Sequence, residues 1–475
     1  MKRYEALAED IAQSIRTGVM KLGDRLPSVR QAGASRAVSA STVFQAYYLL
    51  EARGLIRARE RSGYYVIAGA RSALPEIDNA SLPTPESTEV DVSELVFDIL
   101  ASAQNRDVVP FGSAFPSPLL FPFARLGKSM AASIQKMDPW STVDDLTPGN
   151  PALRRQIALR YLADGMHVHT DDIVITNGAL EALSLCLHTV ARPGDSVIIE
   201  SPTFYGALQA LEGLGLKAIQ VATHPREGID LAQLALALER HRPRACWLMT
   251  NFQNPLGGLM SDEKKQALVA LLAEHAVPLI EDDVYGELYF GSRRPLPAKA
   301  FDKAGLVMHC SSFSKCLAPG YRVGWAAPGK FAGAVARLKL SRTLSASAPA
   351  QGAIADYLAK GGYDRHLRQL RHALSVQQTA MLQAVARYFP RGTKATRPAG
   401  GYFVWVELPG QVDVLQVQRS ALSLGISVAP GPMFSAERKF LNCLRLNYGH
   451  PWDERNEAAM ATLGRIIAAN GAMVE

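Results

Sequence analysis

The stretch SSFSKCLAPGYRVGW, residues 311–325, sets one lysine among hydroxyls, glycines and an arginine, directly after an apolar run. Lys315 falls where a strand is expected to turn, and a lysine there can join an aldehyde cofactor as a Schiff base. Ser312, Ser314 and Arg322 offer hydroxyls and a guanidinium suited to a phosphate. Gly320 and Gly324 allow close backbone approach. By itself Lys315 reads equally well as an ordinary exposed lysine.

The surrounding stretches change that balance. TNFQNPLGG (250–258) contains Asn254, able to hydrogen-bond a phenolic oxygen of such a cofactor. IEDDVYGELY (280–289) contains Asp282 and Tyr285; a carboxylate at a buried strand end can pair with a protonated pyridine nitrogen. ITNGALEAL (175–183) puts Ala179 and Leu180 at a helix start, where backbone N–H groups favour a phosphate. Phe204 in ESPTFYG (200–206) has a flat face for stacking, and Arg445 in CLRLNYG (443–449) is a candidate clamp for a carboxylate. Each has a plain structural alternative: a turn at Asn254–Pro255, a strand-end cap at Asp282, a core aromatic at Phe204, a surface ion pair at Arg445. Together they fall at the ends of expected strands, where an open α/β sheet places its ligands. The apolar runs DIVITN, SVIIES, ACWLMT, VPLIEDD and LVMHCSSFS each precede a helix or loop, which argues for a mostly parallel sheet covered by helices.

With these stretches, VPFGSAFPSPLLFP (109–122), PGNPALRRQIALRYL (148–162) and PAGGYFVWVELP (398–409), the chain from about 108 to 475 resembles the fold-type I aminotransferases. The resemblance implies pyridoxal 5'-phosphate as cofactor, Lys315 as the Schiff-base lysine and Asp282 as the pyridinium partner, these two being the catalytic candidates. It implies Asn254 and Tyr285 at the ring hydroxyl, and Ser312, Ser314, Arg322 and the amides of Ala179 and Leu180 at the phosphate. Phe204 would stack on the ring and Arg445 would bind the α-carboxylate of a substrate or effector. One departure stands out: the family often has a tyrosine before PGNPALRR, and VDDLT (143–147) has no aromatic.

The first 68 residues follow another pattern. Tyr4, Leu7, Ile11 and Ile15 mark one apolar helix face, and LGDRLPS (22–28) breaks it. A second helix is expected from Pro27–Ser28 and a third after Ser39, on which Val43, Ala46, Tyr47 and Leu50 recur at helical spacing. Gly54 stops that helix, and LIRARERSGYYVI (55–67) alternates like a hairpin turning at Ser62–Gly63. Three helices and a β-wing make a winged helix-turn-helix. Ser39, Ala40, Ser41 and Gln45 would face base edges, while Arg30 and the wing residues Arg57, Arg59, Arg61, Ser62 and Gly63 would meet phosphates or the minor groove. The bland alternative is a three-helix interaction module with a solvated arginine face. Through IRTGVMKLGDRLPSVRQ (15–31), VSASTVFQAYYLLEARGLI (38–56) and RSGYYV (61–66), the segment resembles the GntR family of bacterial regulators. It departs at Ala40, where the family often has arginine, and at Phe44, where a polar residue is usual.

The bulk numbers fit a multidomain globular protein. Of 475 residues, 48% are hydrophobic and 20% charged, with a net charge of +7. Residues 1–70 hold eleven Lys/Arg against six Asp/Glu, whereas 72–98 hold seven acidic residues and no basic one. With three prolines and many small polar residues, 69–106 is expected to be a linker, its last part able to form a helix. The aminotransferase-like unit is expected over 107–475, with a large part near 140–330 and a small part from 107–139 and 331–475. The five cysteines show no metal-like spacing, so no metal site is expected. No apolar run is long enough for a membrane span and no signal peptide opens the sequence, so a cytoplasmic location is expected.

A GntR-type reader joined to an aminotransferase-like unit resembles the MocR subfamily of regulators. The resemblance implies a homodimer reading a double-stranded DNA operator and sensing an amino acid, an amine or pyridoxal phosphate itself. The rival expectation is a working aminotransferase carrying a DNA-binding domain. A third is a cofactor-binding protein that scarcely responds to amino acids.

Overall fold

A computed structural model describes residues 3–21, 23–52, 55–59, 63–66, 74–102, 105–141, 146–410 and 412–472. Helix α1 (Arg3–Arg16) buries Leu7, Ile11 and Ile15 on the face that the spacing marks. Helix α2 (Val29–Arg36) opens on a capping box: Ser28 Oγ accepts from Gln31 N at 3.3 Å, and Gln31 Oε1 accepts from Ser28 N at 3.0 Å. Helix α3 (Ala40–Ala52) follows Ser39, whose Oγ accepts from Thr42 N at 3.2 Å. Val43, Ala46, Tyr47 and Leu50 are buried against α1 and α2. Strands β1 (Ile56–Arg59) and β2 (Gly63–Val66) pair antiparallel and close this small core through Ile56 and Val66. This is the expected winged helix-turn-helix.

The chain is next described at Leu74. It runs through β3 (Ser87–Glu89), α4 (Ser93–Ser102), β4 (Val109–Pro110), α5 (Phe123–Lys136) and α6 (Pro151–Ala163) into an alternating α/β unit. There follow β5 (Val174–Thr176), α7 (Ala179–Val190), β6 (Ser196–Ser201), α8 (Tyr205–Gly213), β7 (Lys217–His224) and β8 (Gly228–Ile229). Then come α9 (Leu231–His241), β9 (Ala245–Leu248), α10 (Asp262–Glu274), β10 (Leu279–Asp282), β11 (Val307–Ser312) and β12 (Gly324–Ala327). The main sheet has the order β3-β7-β6-β9-β10-β11-β12-β5, with β8 paired to β7. Strands β7, β6, β9, β10 and β11 are mutually parallel, and β3, β12 and β5 join antiparallel. Burial of the parallel strands on both faces explains their continuous apolar runs.

The rest of the chain forms α11 (Ala332–Thr343), α12 (Ala348–Ala359), the long α13 (Gly362–Tyr388), β13 (Lys394–Ala395), β14 (Phe403–Glu407) and α14 (Val414–Ser423). It ends with β15 (Ile426–Ser427), β16 (Ala429–Pro430), β17 (Cys443–Asn447) and α15 (Glu454–Ala472). Strands β13, β14, β17 and β16 make an antiparallel sheet, and β15 pairs with β4. These elements form a smaller sheet-and-helix part beside the large parallel sheet.

The linker expectation needs correction. From Leu74 onward the segment is folded onto the aminotransferase-like unit rather than hanging free. Ala395 N donates to Pro75 O at 3.0 Å, and Ser81 bonds both Thr223 and Ser201. Strand β3 forms the sheet edge beside β7. Five apolar side chains dispersed through the segment, Ile77, Val90, Val92, Val96 and Ile99, are buried. Its acidic groups meet arginines: Glu76 with Arg226 at 2.8 Å, Asp91 with Arg438 at 3.1 Å, and Glu86 with Arg240. An average composition that looks polar and acidic hid both features.

Candidate functional site

The end of β11 turns sharply, with Leu317 N and Ala318 N both donating to Phe313 O, and this turn presents Lys315. Lys315 Nζ donates to Ala114 O at 2.8 Å and lies 3.7 Å from the centre of the Phe115 ring. Burial, helped by the positive charges of Arg445 and Arg322, brings the lysine down to about 7, against the opposing pull of Asp282. An amine at that value is substantially unprotonated at neutral pH, as a nucleophile toward an aldehyde must be.

Asp282 ends β10, opposite Cys310 of β11. It is buried, its Oδ1 has no hydrogen-bond partner among the described residues, and burial together with the Asp283 charge pushes it up to about 7. An orphaned, buried carboxylate oxygen is costly unless a ligand supplies a donor. The N–H of a protonated pyridine is such a donor, so the residues fit the cofactor.

A second side of the site gathers donors that could hold a phosphate. Gly178 precedes α7 with φ +85° and no side-chain cap, leaving the first amides of that helix, those of Ala179 and Leu180, available to an anion. Arg322, itself in the left-handed region at φ 52°, donates from Nη1 to Ser314 Oγ and from Nη2 to Asn177 O, both at 3.3 Å. Ser312 Oγ accepts from Ser314 N at 3.3 Å. A Cβ on Gly324 would stand 2.6 Å from Gly178 C and 2.8 Å from Ala179 N, so only glycine lets β12 approach this helix start. Phe204 opens α8, half-buried, and shares Gly206 as a neighbour with Leu180.

Asn254 joins Tyr285 to Arg445. Its Nδ2 donates to Tyr285 OH at 3.5 Å, and its Oδ1 accepts from Arg445 Nη1 at 3.1 Å. Arg445, on β17, is wholly buried, stacked 4.1 Å over Phe403, and its Nη2 donates to Gly112 O and Ser113 O at 2.8 and 3.2 Å. No carboxylate among the described residues neutralises it. Asp282 and Lys315 thus stand at the carboxyl ends of β10 and β11, with Asn254, beyond the end of β9, bonded to Arg445 of β17.

Two features had no sequence signal. The first is the segment 112–115, whose carbonyls hold Arg445 and Lys315 and whose Phe115 ring lies under the lysine. The second is a buried network behind Asp282. Trp325 Nε1, which can only donate, bonds Tyr161 OH at 2.9 Å; Tyr161 in turn donates to His309 Nδ1 at 2.7 Å. The remaining ring N–H of His309, at Nε2, then donates to Asp283 Oδ2 at 3.2 Å. Asp283 also accepts from Asn251 Nδ2 at 2.9 Å and Arg294 Nη2 at 3.2 Å, while its backbone carbonyl accepts from Ser311 Oγ. Burial would raise Asp283, but its His309, Arg294 and Asn251 partners hold it below the usual carboxylate value.

On the DNA-reading side, Arg30, Ser39, Ala40, Ser41 and Gln45 are all exposed. The Ser39 hydroxyl is engaged in the helix start, with Ser41 Oγ at 2.8 Å and Thr42 Oγ1 at 2.9 Å. Gly63 opens β2 at φ +96°. The side chains of Arg57 and Arg59, and residues Arg61 and Ser62 altogether, lie outside the described residues, as do 143–145 of the VDDLT stretch. Among the described residues no cluster of three or more His, Cys, Asp and Glu could hold a metal, and no helix is long and apolar enough to cross a membrane.

The comparisons with known proteins agree with both halves. Residues 3–66 match the family of bacterial regulatory proteins, gntR family, and residues 142–462 match aminotransferase class I and II. The uncharacterized HTH-type transcriptional regulator YdcR of Escherichia coli K12 is 49% identical over 98% of this chain and 99% of its own length. Aromatic-amino-acid aminotransferase 1 of Thermococcus litoralis is 28% identical over 83% of this chain and 95% of its own. Among solved structures, the α-aminoadipate aminotransferase LysN of Thermus thermophilus, in complex with N-(5'-phosphopyridoxyl)-L-leucine, is 30% identical with a TM-score of 0.72. That likeness covers 81% of this chain and all of LysN. The multiple substrate aminotransferase of Thermococcus profundus gives a TM-score of 0.73 at 27% identity, covering 81% of this chain and 96% of that one. A GntR reader continuous with a complete fold-type I domain, over the full length of a regulator relative, places this chain in the MocR type of GntR-family transcriptional regulators, with pyridoxal phosphate as its cofactor.

Proposed function

We propose that this chain senses an amino acid or amine at its pyridoxal phosphate site and, as a homodimer, converts occupancy into a change in DNA binding. The observation that carries the proposal is Arg445: a buried guanidinium held by one amide oxygen and two backbone carbonyls, with no acid among the described residues to neutralise it. Such a group is matched to an α-carboxylate, which would replace weak neutral acceptors with a charged one. Pyridoxal phosphate supplies an aldehyde carbon that takes an amine and a ring that withdraws electrons.

The chain's own residues do the rest in this reading. Lys315 would hold the cofactor, its Nζ giving up Ala114 O to do so, and would be freed as an amine when the effector's amine takes its place. Arg445 orients the carboxylate through release of Gly112 O and Ser113 O. Ser312, Ser314, Arg322 and the α7 amides keep the phosphate fixed, Phe204 covers the ring face, and Asn254 and Tyr285 hold its hydroxyl. Exchange at Arg445 would unload Gly112 O and Ser113 O while the freed Lys315 Nζ could return to Ala114 O, so occupancy changes what the segment 112–115 holds. For this to switch DNA binding, the effector must favour one arrangement of the dimer over another. Leu119, Phe123, Trp140 and Leu344 are exposed apolar side chains that a second copy could cover.

A second reading, active transamination, is favoured by the same lysine. At about 7, Lys315 Nζ is suited to move a proton at the substrate's Cα. A visible absorption titration of the cofactor-loaded protein with amino acids and amines, without keto acid, separates the two. A cofactor band that disappears in Lys315→Ala is expected; an unchanged band in that variant overturns the site. A persistent shift with one ligand supports sensing. Conversion to the amine form of the cofactor, reversed by a keto acid, makes the chain an aminotransferase first.

A further inference from the structure

The exposed face of α3 carries aromatic rings where a DNA-reading helix would be expected to carry charge. Phe44 is 55% exposed and Tyr48 is 67% exposed, four residues apart and so on one side of the helix. Ala40, Ser41 and Gln45 are exposed as well, and α3 contains no lysine or arginine. The core makes no demand for the Phe44 ring. Tyr47 already fills that role, packed edge-on against Tyr64 at 5.0 Å, with its hydroxyl on Pro27 O at 2.7 Å.

Resting on the DNA-reading role of this unit, we propose that Phe44 determines operator specificity by packing against thymine methyl groups in the major groove. The C5-methyl is the one apolar group that a base pair presents there, and only A·T and T·A pairs present it. A phenyl ring in the N-terminal half of a groove-entering helix has no hydrogen bond to offer, so its contribution comes from burying apolar surface. Gln45, its neighbour, carries the donor and acceptor pair that matches adenine N6 and N7. An amide and a ring side by side read A·T-containing steps, where an arginine would read guanine. Phosphate attraction then comes from outside α3, for instance from exposed Arg30 on α2.

The test uses the full-length, cofactor-loaded chain. A random duplex pool is enriched on it, and the selected duplex is remade with each thymine replaced singly by deoxyuracil, which lacks only the methyl. At one or more positions in each half-site, the loss is expected to be about fourfold per contacted methyl. In Phe44→Ala the thymine-to-uracil affinity ratio at those positions is expected to fall to one; this ratio does not depend on the variant's overall affinity, and its melting curve checks its folding. Uracil tolerated at every position, or a ratio unchanged in Phe44→Ala, overturns the proposal. Altered self-association with an unchanged ratio also overturns it, making Phe44 a chain-to-chain contact. If no duplex of any sequence is retained even at low salt, the DNA-reading role itself fails, an outcome distinct from binding that ignores the methyl.

Discussion

Arg445 and Phe44 are the residues to which recognition is assigned in the two proposals above, and their surroundings could hardly differ more. Arg445 is wholly buried, its guanidinium fixed by Asn254, Gly112 and Ser113 and laid over Phe403. Phe44 stands more than half in solvent on a helix whose start is set by the Ser39 hydroxyl. The cradle is pre-organised by its own chain, so its geometry exists before a ligand arrives. The reading helix leaves its partner contacts to the DNA, and its energetics are those of a surface. Changes in the first region should therefore be expensive and spread through a network, and changes in the second cheap and local.

The largest expected effect lies behind the cradle. Asp283→Ala removes the carboxylate shared by His309, Asn251 and Arg294, leaving a buried guanidinium with less compensation. Breaking such a buried pair costs about 3–5 kcal/mol. Denaturant unfolding of the full chain at neutral pH, followed through the cofactor's absorption, measures it. A loss below about 1 kcal/mol, the scale of exposed ion pairs, would break the contrast drawn between the two regions.

Asp282, the adjacent carboxylate, is shifted the other way, up to about 7. Its unfolded value is near 3.9. The folded state thus holds this proton more tightly than the unfolded one, and the stability so gained is present at low pH and declines as pH rises from about 4 to about 7. Asparagine cannot ionise, so Asp282→Asn abolishes the decline. In the cofactor-free protein at pH 8 the variant should be more stable than the natural chain, by on the order of 2–4 kcal/mol. It should also bind pyridoxal phosphate more weakly, because the pyridinium loses its carboxylate. Melting curves at pH 4 and pH 8 check the first expectation. Parallel curves for both proteins would mean that Asp282 is ionised without cost, and that the cradle is less strained than its burial implies.

The same contrast governs what the sequence reveals. Lys315, Asp282, Asn254 and Arg445 were legible because chemistry demands those side chains at strand ends, and local motifs bring each into view. The partners that hold them were not. Gly112, Ser113 and Ala114 act through carbonyls, which every residue possesses. Asp283, His309 and Tyr161 meet only when β10, β11 and α6 are packed together, far apart in the chain. Residues 74–102 were misread for a related reason. Val92, Val96 and Ile99 keep a helical spacing, in line with the helix expected there, but Ile77 and Val90 stand apart from any period, and all five find a place in the core. In the winged helix unit the helices were legible from spacing and caps, because its small core uses contacts close in sequence. Its reading face gave only the bare fact of Ala40 and Phe44 where the family has polar groups, and burial was needed to show that Phe44 is no core residue.

The smallest effect tests whether the two regions are energetically separate. Ser28 and Gln31 close a reciprocal cap on α2, the helix that positions α3. Ser28→Ala should cost the DNA-binding unit about 1 kcal/mol, visible as faster hydrogen exchange along α2. The cofactor band should not move, since neither Ser28 nor Gln31 is among the residues that gather at Lys315. A small loss confined to the N-terminal unit would support two units joined by an effector-controlled coupling. A shifted cofactor band would mean that the reader already bears on the cradle without effector. The sensing step would then have to act by releasing a standing contact instead of making a new one.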